Sequence, residues 1–332
     1  MLTFRGFHHP GIAKACALTI GNFDGVHRGH QAMLALIRNE ARNRGVPSCV
    51  LTFEPHPRDD FAKVRSDPSL APARIATLRD KLTELSVCGI DQCVVLPFNE
   101  QLSSLPPESF VQTVLVNGLG AKYVLVGDDF KFGAKRAGDY TFLMNSGAHH
   151  GFEVARMNSY EVGGVRVSSS VVRAALGRAD FGQVEQLLGR PYSISGHVVH
   201  GRHLGRELNC RTLNVRFLNS AQSRASSAAQ GIFVVEVLGL SSEPLQGVAN
   251  LGVRPTLDPS DVNGGRILLE THVLNWPKEL DQDAGYGRVV QVNLLHKLHD
   301  ELKYDGLDAL KRGIEQDCES AREWFKTRLT NA

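Results

Sequence analysis

Two histidines three residues apart mark the first place in the sequence where side chains could act together. His27 and His30 follow an apolar run that ends at Ile20, and an amphipathic stretch follows them. If that stretch is a helix, the two imidazoles lie on one face of its first turn. The first turn of a helix also offers unpaired N–H groups and partial positive charge to an anion. The pair therefore suits a reaction in which negative charge grows, such as nucleotidyl transfer from ATP with release of pyrophosphate.

The turn between the apolar run and the histidines contains two glycines, which let a backbone approach a ligand closely. It matches neither GxGxxG nor GxxxxGK[ST], the two common phosphate-binding patterns. We nevertheless predict that this turn binds the phosphates of ATP. The residues concerned are Gly21, Asn22, Phe23, Asp24 and Gly25. Two simpler explanations of the histidine pair stay open: a chance pair on the surface, or two ligands of a metal site.

A second group of candidate phosphate ligands follows at 168–173, a serine-rich stretch that ends in an arginine. Serine hydroxyls at the start of a helix can cap it and can also bind phosphate, while a guanidinium can hold pyrophosphate with two hydrogen bonds. We predict that Ser169, Ser170 and Arg173 bind phosphate. A capped helix with a surface arginine would explain the same pattern.

The second half of the chain has its own glycine- and base-rich stretch, 196–206. Such a loop can fold over phosphates, and Gly201 and Gly205 are its candidate phosphate-binding residues. Taken alone, the stretch is more simply explained as a solvated basic hairpin. It is followed by Thr212 and Asn214, which lie two apart and so face one side of a strand. Their oxygens could bind Mg²⁺, with phosphate oxygens and water completing its shell.

Glu270 lies within an apolar run, 267–275. A carboxylate in an apolar strand is costly unless it is paired or used, which makes Glu270 a candidate functional residue. A glutamate on the solvent-facing side of a barrel is the alternative.

Two patterns of apolar residues indicate which elements position these sites. Up to about residue 185, apolar runs alternate with stretches of helical periodicity. The runs are 15–20, 48–53, 91–96 and 122–126, and the helical stretches include 31–44 and 74–88. This alternation predicts a doubly wound parallel sheet covered by helices, with ligands bound beyond the carboxyl ends of the strands.

From about Pro191, β-prone runs follow one another without helices between them. They are 192–199, 212–218, 231–238, 245–251, 267–275 and 288–295. These runs predict an antiparallel barrel or sandwich. A helical stretch from Asp305 to Leu329, with Asp305 as a candidate N-cap, follows the last run. We predict an α/β domain over 1–186 and a β-domain, closed by a C-terminal helix, over 187–332.

Composition excludes several classes of protein. The net charge is only +2 and the charges are dispersed, which disfavours a nucleic-acid partner. The chain has no secretory signal and no apolar stretch of membrane-spanning length, so we expect no membrane partner and a cytoplasmic location. Its six cysteines lack the spacing of a zinc site or a disulfide framework. The oligomeric state does not follow from the sequence.

Several motifs in one order resemble those of a known family. The segment 21–30 is similar to the HxGH nucleotidyltransferase signature in the form found in bacterial bifunctional riboflavin kinase/FMN adenylyltransferases. Further stretches resemble that family along nearly the whole chain. They are TFEPHP (52–57), VGDDFKFG (126–133), VSSSVVR (167–173), LLGRPY (187–192), GVANLGVRPT (247–256) and LETH (269–272).

The resemblance implies a Rossmann-like domain that adenylylates FMN and a riboflavin kinase-like β-barrel that phosphorylates riboflavin. It implies catalytic roles for His27 and His30, and it makes Glu270 the general base of the kinase. Flavin contacts are implied for a small set of residues in two loops. These are Pro55, His56, Pro57, Asp129 and Phe130. Both reactions would use Mg²⁺ with ATP, and riboflavin, FMN and FAD would be substrates and products rather than redox cofactors.

One departure from the family leaves an alternative open. The family's usual GFPTAN or GFPTLN is NCRTLN here, with Asn209 and Arg211 at the Gly and Pro positions. Thr212 and Asn214 are retained, but the turn that presents them is altered. An FMN adenylyltransferase with an impaired kinase barrel therefore remains an alternative, as does a non-catalytic flavin-binding protein.

Overall fold

A computed structural model describes residues 1–200, 212–216, 228–253, 267–281 and 283–330 of the chain. The backbone divides into two compact units. The first comprises Met1–Pro72 and Leu78–Val171, and the second comprises Ala73–Thr77 and Val172–Ala332. The predicted domain division between residues 186 and 187 stays a prediction.

The first unit is built on a six-stranded sheet in which every neighbouring pair is parallel. In chain order the strands are β1 (Leu2–Arg5), β2 (Cys16–Ile20), β3 (Ser48–Phe53), β4 (Gln92–Leu96), β5 (Ala121–Gly127) and β6 (Glu153–Met157). Their spatial order is β1-β4-β3-β2-β5-β6. The chain therefore winds outward from β2 in both directions, and the topological switch point, where ligands bind in such sheets, lies between β2 and β5.

Helices accompany these strands. They are α1 (Arg28–Arg44), α2 (Pro57–Val64), α3 (Leu78–Val87), α4 (Glu100–Ser103), α5 (Pro107–Phe110) and α6 (Tyr140–His150). Helix α7 (Ser169–Gly177) begins in the first unit and continues into the second. Two short 3₁₀ turns, Pro68–Leu70 and Ala134–Arg136, and a π-helical segment, Val111–Gly118, complete the described helical elements of this part. Ala17 and Leu18 are both fully buried but belong to different apolar clusters. Because successive strand residues point to opposite faces, both faces of the sheet are covered, which explains the continuous apolar runs.

The second unit contains a closed antiparallel barrel. Its strands are β9 (Tyr192–Val199), β10 (Thr212–Arg216), β11 (Gly231–Leu238), β12 (Leu245–Val253), β13 (Ile267–Val273) and β14 (Val289–His299). Around the barrel their order is β10-β13-β12-β11-β14-β9, and β9 closes the circle by pairing with β10. A Cβ atom at Gly196 would lie 2.3 Å from the carbonyl oxygen of Arg216. Only glycine therefore permits the close approach of these two strands.

Two helices pack on the barrel. Helix α8 (Phe181–Leu188) sets the ring of Phe181 edge-on against Phe233, with 5.6 Å between ring centroids. Helix α9 (Leu307–Thr330) buries Cys318, Ala321 and Phe325 in an apolar cluster that includes residues of the barrel strands. The predicted N-cap at Asp305 is wrong: the helix begins two residues later, and the carbonyl of Gly306 accepts from the N–H of Leu310 at 3.2 Å.

The predicted fold class is confirmed, including the parallel sheet, the barrel and the final helix. The sequence analysis missed the edge strands β1 and β6 and a hairpin of β7 (Glu161–Val162) and β8 (Val165–Arg166). Among the helices that the structure describes, none combines the length and the apolar character that a membrane crossing requires.

Candidate functional site

The two histidines lie together where β2 leads into α1. His27 is the N-cap of α1, and its Nδ1 accepts a hydrogen bond from the backbone N–H of His30 at 3.3 Å. The imidazole rings stack with 3.6 Å between their centroids and 13° between their planes. The predicted proximity of the two rings is confirmed, while their catalytic role stays a prediction.

The position between the two histidines leaves little room for a side chain, which explains the glycine there. A Cβ atom at Gly29 would lie 3.3 Å from Cε1 and Nδ1 of His27. This is closer than ordinary van der Waals contact, so a larger residue would push the ring of His27 away from its capping position. The pattern His-x-Gly-His therefore encodes a stacked pair of imidazoles over the start of a helix.

The surroundings of the pair favour a neutral ring at His30. Burial lowers the pKa of His30 well below its ordinary value, and the charges of His27 and Lys81 act in the same direction. Because Nδ1 of His27 accepts a hydrogen bond, a neutral His27 carries its proton on Nε2, which is then a donor. Nδ1 of His30 is buried and makes no hydrogen bond to any residue that the structure describes.

The predicted phosphate turn, 21–25, is held in place by two side-chain hydroxyls. Thr52 donates to the carbonyl of Asn22 at 3.2 Å, and Ser169 donates to the carbonyl of Asp24 at 3.0 Å. Phe23 has φ +48° and is only 1% exposed, with its ring 5.0 Å from that of His30. Any contact of Phe23 with ATP must therefore come from its backbone.

The serine-rich stretch has the first of the two roles considered from the sequence, that of a helix cap. Ser168 caps α7, because its hydroxyl oxygen accepts from the N–H of Val171 at 3.3 Å. Ser169 is engaged with the phosphate turn, and Ser170 is exposed. Arg173 belongs to the second unit, where its Nε donates to the carbonyl of Ala73 at 2.7 Å. Phosphate binding by Ser169, Ser170 and Arg173 stays a prediction.

The predicted flavin contacts occupy two loops at the carboxyl ends of β3 and β5. His56 lies between Pro55 and Pro57, is buried, and caps α2 by accepting from the N–H of Arg58 at 3.2 Å. In the other loop Asp129 is exposed. Phe130 is half-buried, with its ring stacked on Phe132 at 5.4 Å.

Other residues beside these loops escaped the sequence analysis. The carboxylate of Asp128 accepts from Ser159 at 2.6 Å and from Arg166 at 3.0 Å, which ties the second loop to the strand that precedes α7. The hydrogen bond from Ser159 is the main cause that lowers the pKa of Asp128, and Arg166 acts in the same direction. These partners are about 30 or more positions apart in the chain, so no local pattern signals them.

An aromatic group near His56 was also missed. Phe98 makes edge-on contacts with Phe53 and Phe61, at 5.8 and 5.7 Å between centroids. Phe61 remains 43% exposed, which is unusual for so large an apolar side chain. The exposure of Phe61 beside the proline-bounded turn makes it a candidate functional residue. Only the fold reveals that exposure.

The barrel brings the candidate kinase residues into one row. In the pairing register Asn214 of β10 lies opposite Glu270 of β13, and Asn250 of β12 lies opposite Glu270 on its other side. Directly opposed residues share a face, with Cβ atoms about 5 Å apart. Thr212 lies opposite His272, two positions along the same face. Asn214 is 6% exposed, so this row is largely enclosed.

Asn250 was not predicted from the sequence. Its Oδ1 is buried and has no hydrogen-bond partner among the residues that the structure describes. A buried acceptor beside Glu270 is the kind of group that a ligand hydroxyl satisfies. Four further residues of the sequence analysis, Gly201, Gly205, Asn209 and Arg211, lie outside the described residues.

The donor set of this row suits a hard cation. Thr212 and Asn214 offer a hydroxyl and an amide oxygen beside the carboxylate of Glu270, and oxygen ligands are those that Mg²⁺ prefers. Within the described part of the chain, no group of three or more His, Cys, Asp or Glu side chains is arranged to hold a metal. The donors thus fit an ion that shares its shell with phosphate oxygens and water rather than a cage made by the protein alone.

Comparisons with known proteins assign each half of the chain to a family model. Residues 9–171 match the model described as FAD synthetase, and residues 188–325 match the model described as riboflavin kinase. Two bacterial proteins named bifunctional riboflavin kinase/FMN adenylyltransferase illustrate the similarity. The protein of Escherichia coli (strain K12) is 42% identical over 98% of both chains, and that of Pseudomonas fluorescens is 43% identical over 97% of both.

A solved structure agrees with the fold over nearly the whole length. It is a crystal structure described as a macrolide-efflux protein from Streptococcus pneumoniae, with a TM-score of 0.74 and 25% sequence identity. The match covers 98% of this chain and 100% of that chain. The words macrolide efflux describe that protein and are not applied to this chain.

Proposed function

The chain belongs to the family of bifunctional riboflavin kinase/FMN adenylyltransferases, and we propose that it makes FAD in two steps at two separate sites. In the first step the γ-phosphate of ATP is transferred to riboflavin, which gives FMN and ADP. In the second step FMN is adenylylated by a second ATP, which gives FAD and pyrophosphate. The observation that carries this proposal is the presence of both family models in one chain.

The kinase step is assigned to the row of polar residues on the barrel. The carboxylate of Glu270 takes the proton of the riboflavin 5′-hydroxyl while that oxygen attacks the γ-phosphorus and ADP leaves. The location of Glu270 between two asparagines supports this role, since their amides can hold the carboxylate and the substrate hydroxyl in a fixed geometry.

Thr212 and Asn214 are proposed to hold Mg²⁺ together with the phosphates of ATP. When bound, the ion neutralises charge on the transferred phosphate. The protein contributes the position of its oxygen donors, two residues apart on one strand and next to the proposed base.

The adenylyl step is assigned to the histidine pair and the turn 21–25. A phosphate oxygen of FMN attacks the α-phosphorus of ATP as the bond to pyrophosphate breaks. The first-turn N–H groups of α1 and the Nε2–H of His27 donate to the oxygens that gain charge. The backbone N–H of His30 fixes the tautomer of this donor by its hydrogen bond to Nδ1 of His27, and the stacked ring of His30 supports the orientation of the donor.

One alternative has a specific observation in its favour. The stretch of sequence before Thr212 carries Asn209 and Arg211 where the family usually has Gly and Pro. If this change disables the kinase, the protein adenylylates FMN but does not phosphorylate riboflavin.

A time course separates the two possibilities. The purified protein is incubated with Mg²⁺-ATP and riboflavin, and the flavins are separated at intervals. We expect FMN to appear first and FAD to follow. FAD formed from added FMN with no FMN formed from riboflavin would support the alternative, and neither product from either flavin would refute the enzymatic function.

A further inference from the structure

Lys81 is a buried cation that neither reaction step, as assigned above, uses. It lies on α3 in the first unit and is only 1% exposed, among the largest fully buried side chains of the described structure. Lysine is almost never so buried unless its charge is paired or used, because removing an ammonium group from water is costly. This degree of burial indicates that the ammonium has a role inside the unit.

A chain of hydrogen bonds links Lys81 to the phosphate turn. Its Nζ donates to Oγ1 of Thr52 at 3.4 Å, and Oγ1 of Thr52 donates to the carbonyl of Asn22 at 3.2 Å. A hydroxyl has one proton, so a hydroxyl that donates to Asn22 must accept from Lys81. Lys81 therefore fixes the direction in which the Thr52 hydroxyl points, although Thr52 need not be its only partner.

The positions of the three residues support a role in the site rather than in the core alone. Thr52 lies near the carboxyl end of β3, and Asn22 lies just after β2, beside the switch point of the sheet. The charge of Lys81 is also felt at the ring of His30, where it lowers the pKa. Lys81 is thus linked to the turn by hydrogen bonds and to His30 by its charge.

We propose that Lys81 is a positioning residue for adenylyl transfer, which acts through Thr52 to hold the backbone of Asn22 in the phosphate turn. The proposal rests on the proposed function of the first unit. It predicts that charge and hydrogen bonding at position 81 both matter, and that Lys81 and Thr52 act as one group.

The test is a double-mutant cycle with the kinase activity of the same molecule as the internal control. We expect Lys81→Met to lower kcat for FAD formation from FMN about 10- to 100-fold, with a smaller change in KM for FMN. Thr52→Val should lower it similarly, and the double variant should be no worse than the single ones. Lys81→Arg and Thr52→Ser should recover part of the rate. The exposed Lys122→Met is the matched control and should leave both activities unchanged.

A second readout tests whether the charge of Lys81 acts on the histidine pair. In Lys81→Met the pKa of His30, followed by NMR titration of its ring protons, should rise. Additive effects of the two substitutions, or a Lys81→Met enzyme within twofold of wild-type adenylyl transfer, would overturn the proposal. If Lys81→Met does not fold, Thr52→Val decides, because unchanged adenylyl transfer there also overturns it. If wild-type enzyme makes no FAD from FMN, the proposed function fails, whatever Lys81 does.

Discussion

At the scale of single residues, the surroundings of His30 determine its protonation state. Two imidazoles stacked 3.6 Å apart repel each other when both are charged, and the ring of His30 is further disfavoured as a cation by burial and by Lys81. The ring of His30 therefore brings no positive charge to the reaction at neutral pH. Positive charge can come from the N-terminus of α1 and from the ion that accompanies ATP.

The first prediction concerns the pKa of His30. Because its pKa is lowered in the folded protein, the unfolded chain binds a proton below about pH 6.5 that the native ring does not bind. The stability of the first unit should therefore fall as pH drops below about 6.5. NMR titration should show the His30 ring titrating well below that value. A His30 ring that titrates at or above 6.5 would contradict this account of the pair.

The second prediction concerns the oxygen donors of the barrel. Asn214→Ala should lower the rate of FMN formation about 100-fold and raise the Mg²⁺ concentration needed for half-maximal rate, because a proposed ligand beside Glu270 is lost. Adenylyl transfer from added FMN should be unchanged. Asn293→Ala, a strand asparagine outside the row in the same barrel, is the matched control. Equal loss of both activities in Asn214→Ala would indicate a folding defect instead.

Local sequence patterns predicted some of these residues but not others. The stacked pair follows from spacing, because residues at i and i+3 share a helical face, and Thr212 and Asn214 follow from the two-residue period of a strand. Asn250 and Lys81 could not be found in this way. Asn250 reaches Glu270 only through the pairing of β12 with β13, and the burial of Lys81 depends on how α3 covers the sheet.

At the scale of elements, the end of β14 is tied to α9 by a charged pair. His299 directs Nε2 to Asp317 at 2.8 Å and Nδ1 to the carbonyl of Asp300 at 2.7 Å. Both ring nitrogens thus face acceptors, which favours the imidazolium form. Burial alone would lower the pKa of His299, but the hydrogen bonds and the charges of Asp317 and Asp300 outweigh it and raise the pKa.

The third prediction follows from that raised pKa. The attachment of α9 should be fully present below about pH 6.5 and should be lost as pH rises through the higher pKa of the folded state. The effect should be about 1 kcal/mol, since the pair is partly exposed. Urea unfolding followed by tryptophan fluorescence measures it in the second unit alone, because both tryptophans, Trp276 and Trp324, lie there. His299→Gln should remove the pH dependence, while His200→Gln, a change at an exposed histidine of the same unit, should not. Unchanged pH dependence in His299→Gln would exclude this pair as its source.

Elements were predicted best where both faces of a strand are buried. Strands β2 to β5 appear in the sequence as continuous apolar runs, since residues on either face enter a core. The edge strands β1 and β6 are mostly exposed or half-exposed and carry charged residues, so they lack that signal. Among the barrel strands, β9 alternates strictly between buried and half-buried residues, and β9 and β11 lie at the predicted residues.

At the scale of the whole molecule, helix α8 belongs with the barrel. Phe181, Val184, Leu187 and Leu188 are all buried, and the helix lies in the second compact unit. The predicted division at 186/187 would cut through this helix. The sequence alone does not show which domain α8 packs on, because an amphipathic helix between two domains can pack on either of them.

The fourth prediction concerns how much the packing of α8 stabilises the second unit. Phe181→Ala should lower the free energy of unfolding of the second unit by about 3 kcal/mol, because it removes a buried ring from the barrel. Urea unfolding followed by tryptophan fluorescence reports on this unit. Gln186→Ala, an exposed change on the same helix, should leave the unfolding free energy within about 0.5 kcal/mol of wild type. A Phe181→Ala protein as stable as the control would show that α8 contributes little to the second unit.

The most direct test of the assignment of the two reactions to separate sites uses two variants, each of which lacks one of the two activities. His30→Asn is expected to convert riboflavin to FMN and stop there, with adenylyl transfer lowered at least about 100-fold. Glu270→Gln is expected to make FAD from added FMN but nothing from riboflavin, with the kinase lowered by a similar factor. A mixture of the two variants, given Mg²⁺-ATP and riboflavin, should form FAD, because FMN released by one protein is the substrate of the other. A mixture that forms no FAD, or two variants that lose the same step, would contradict the assignment of the two reactions to separate sites.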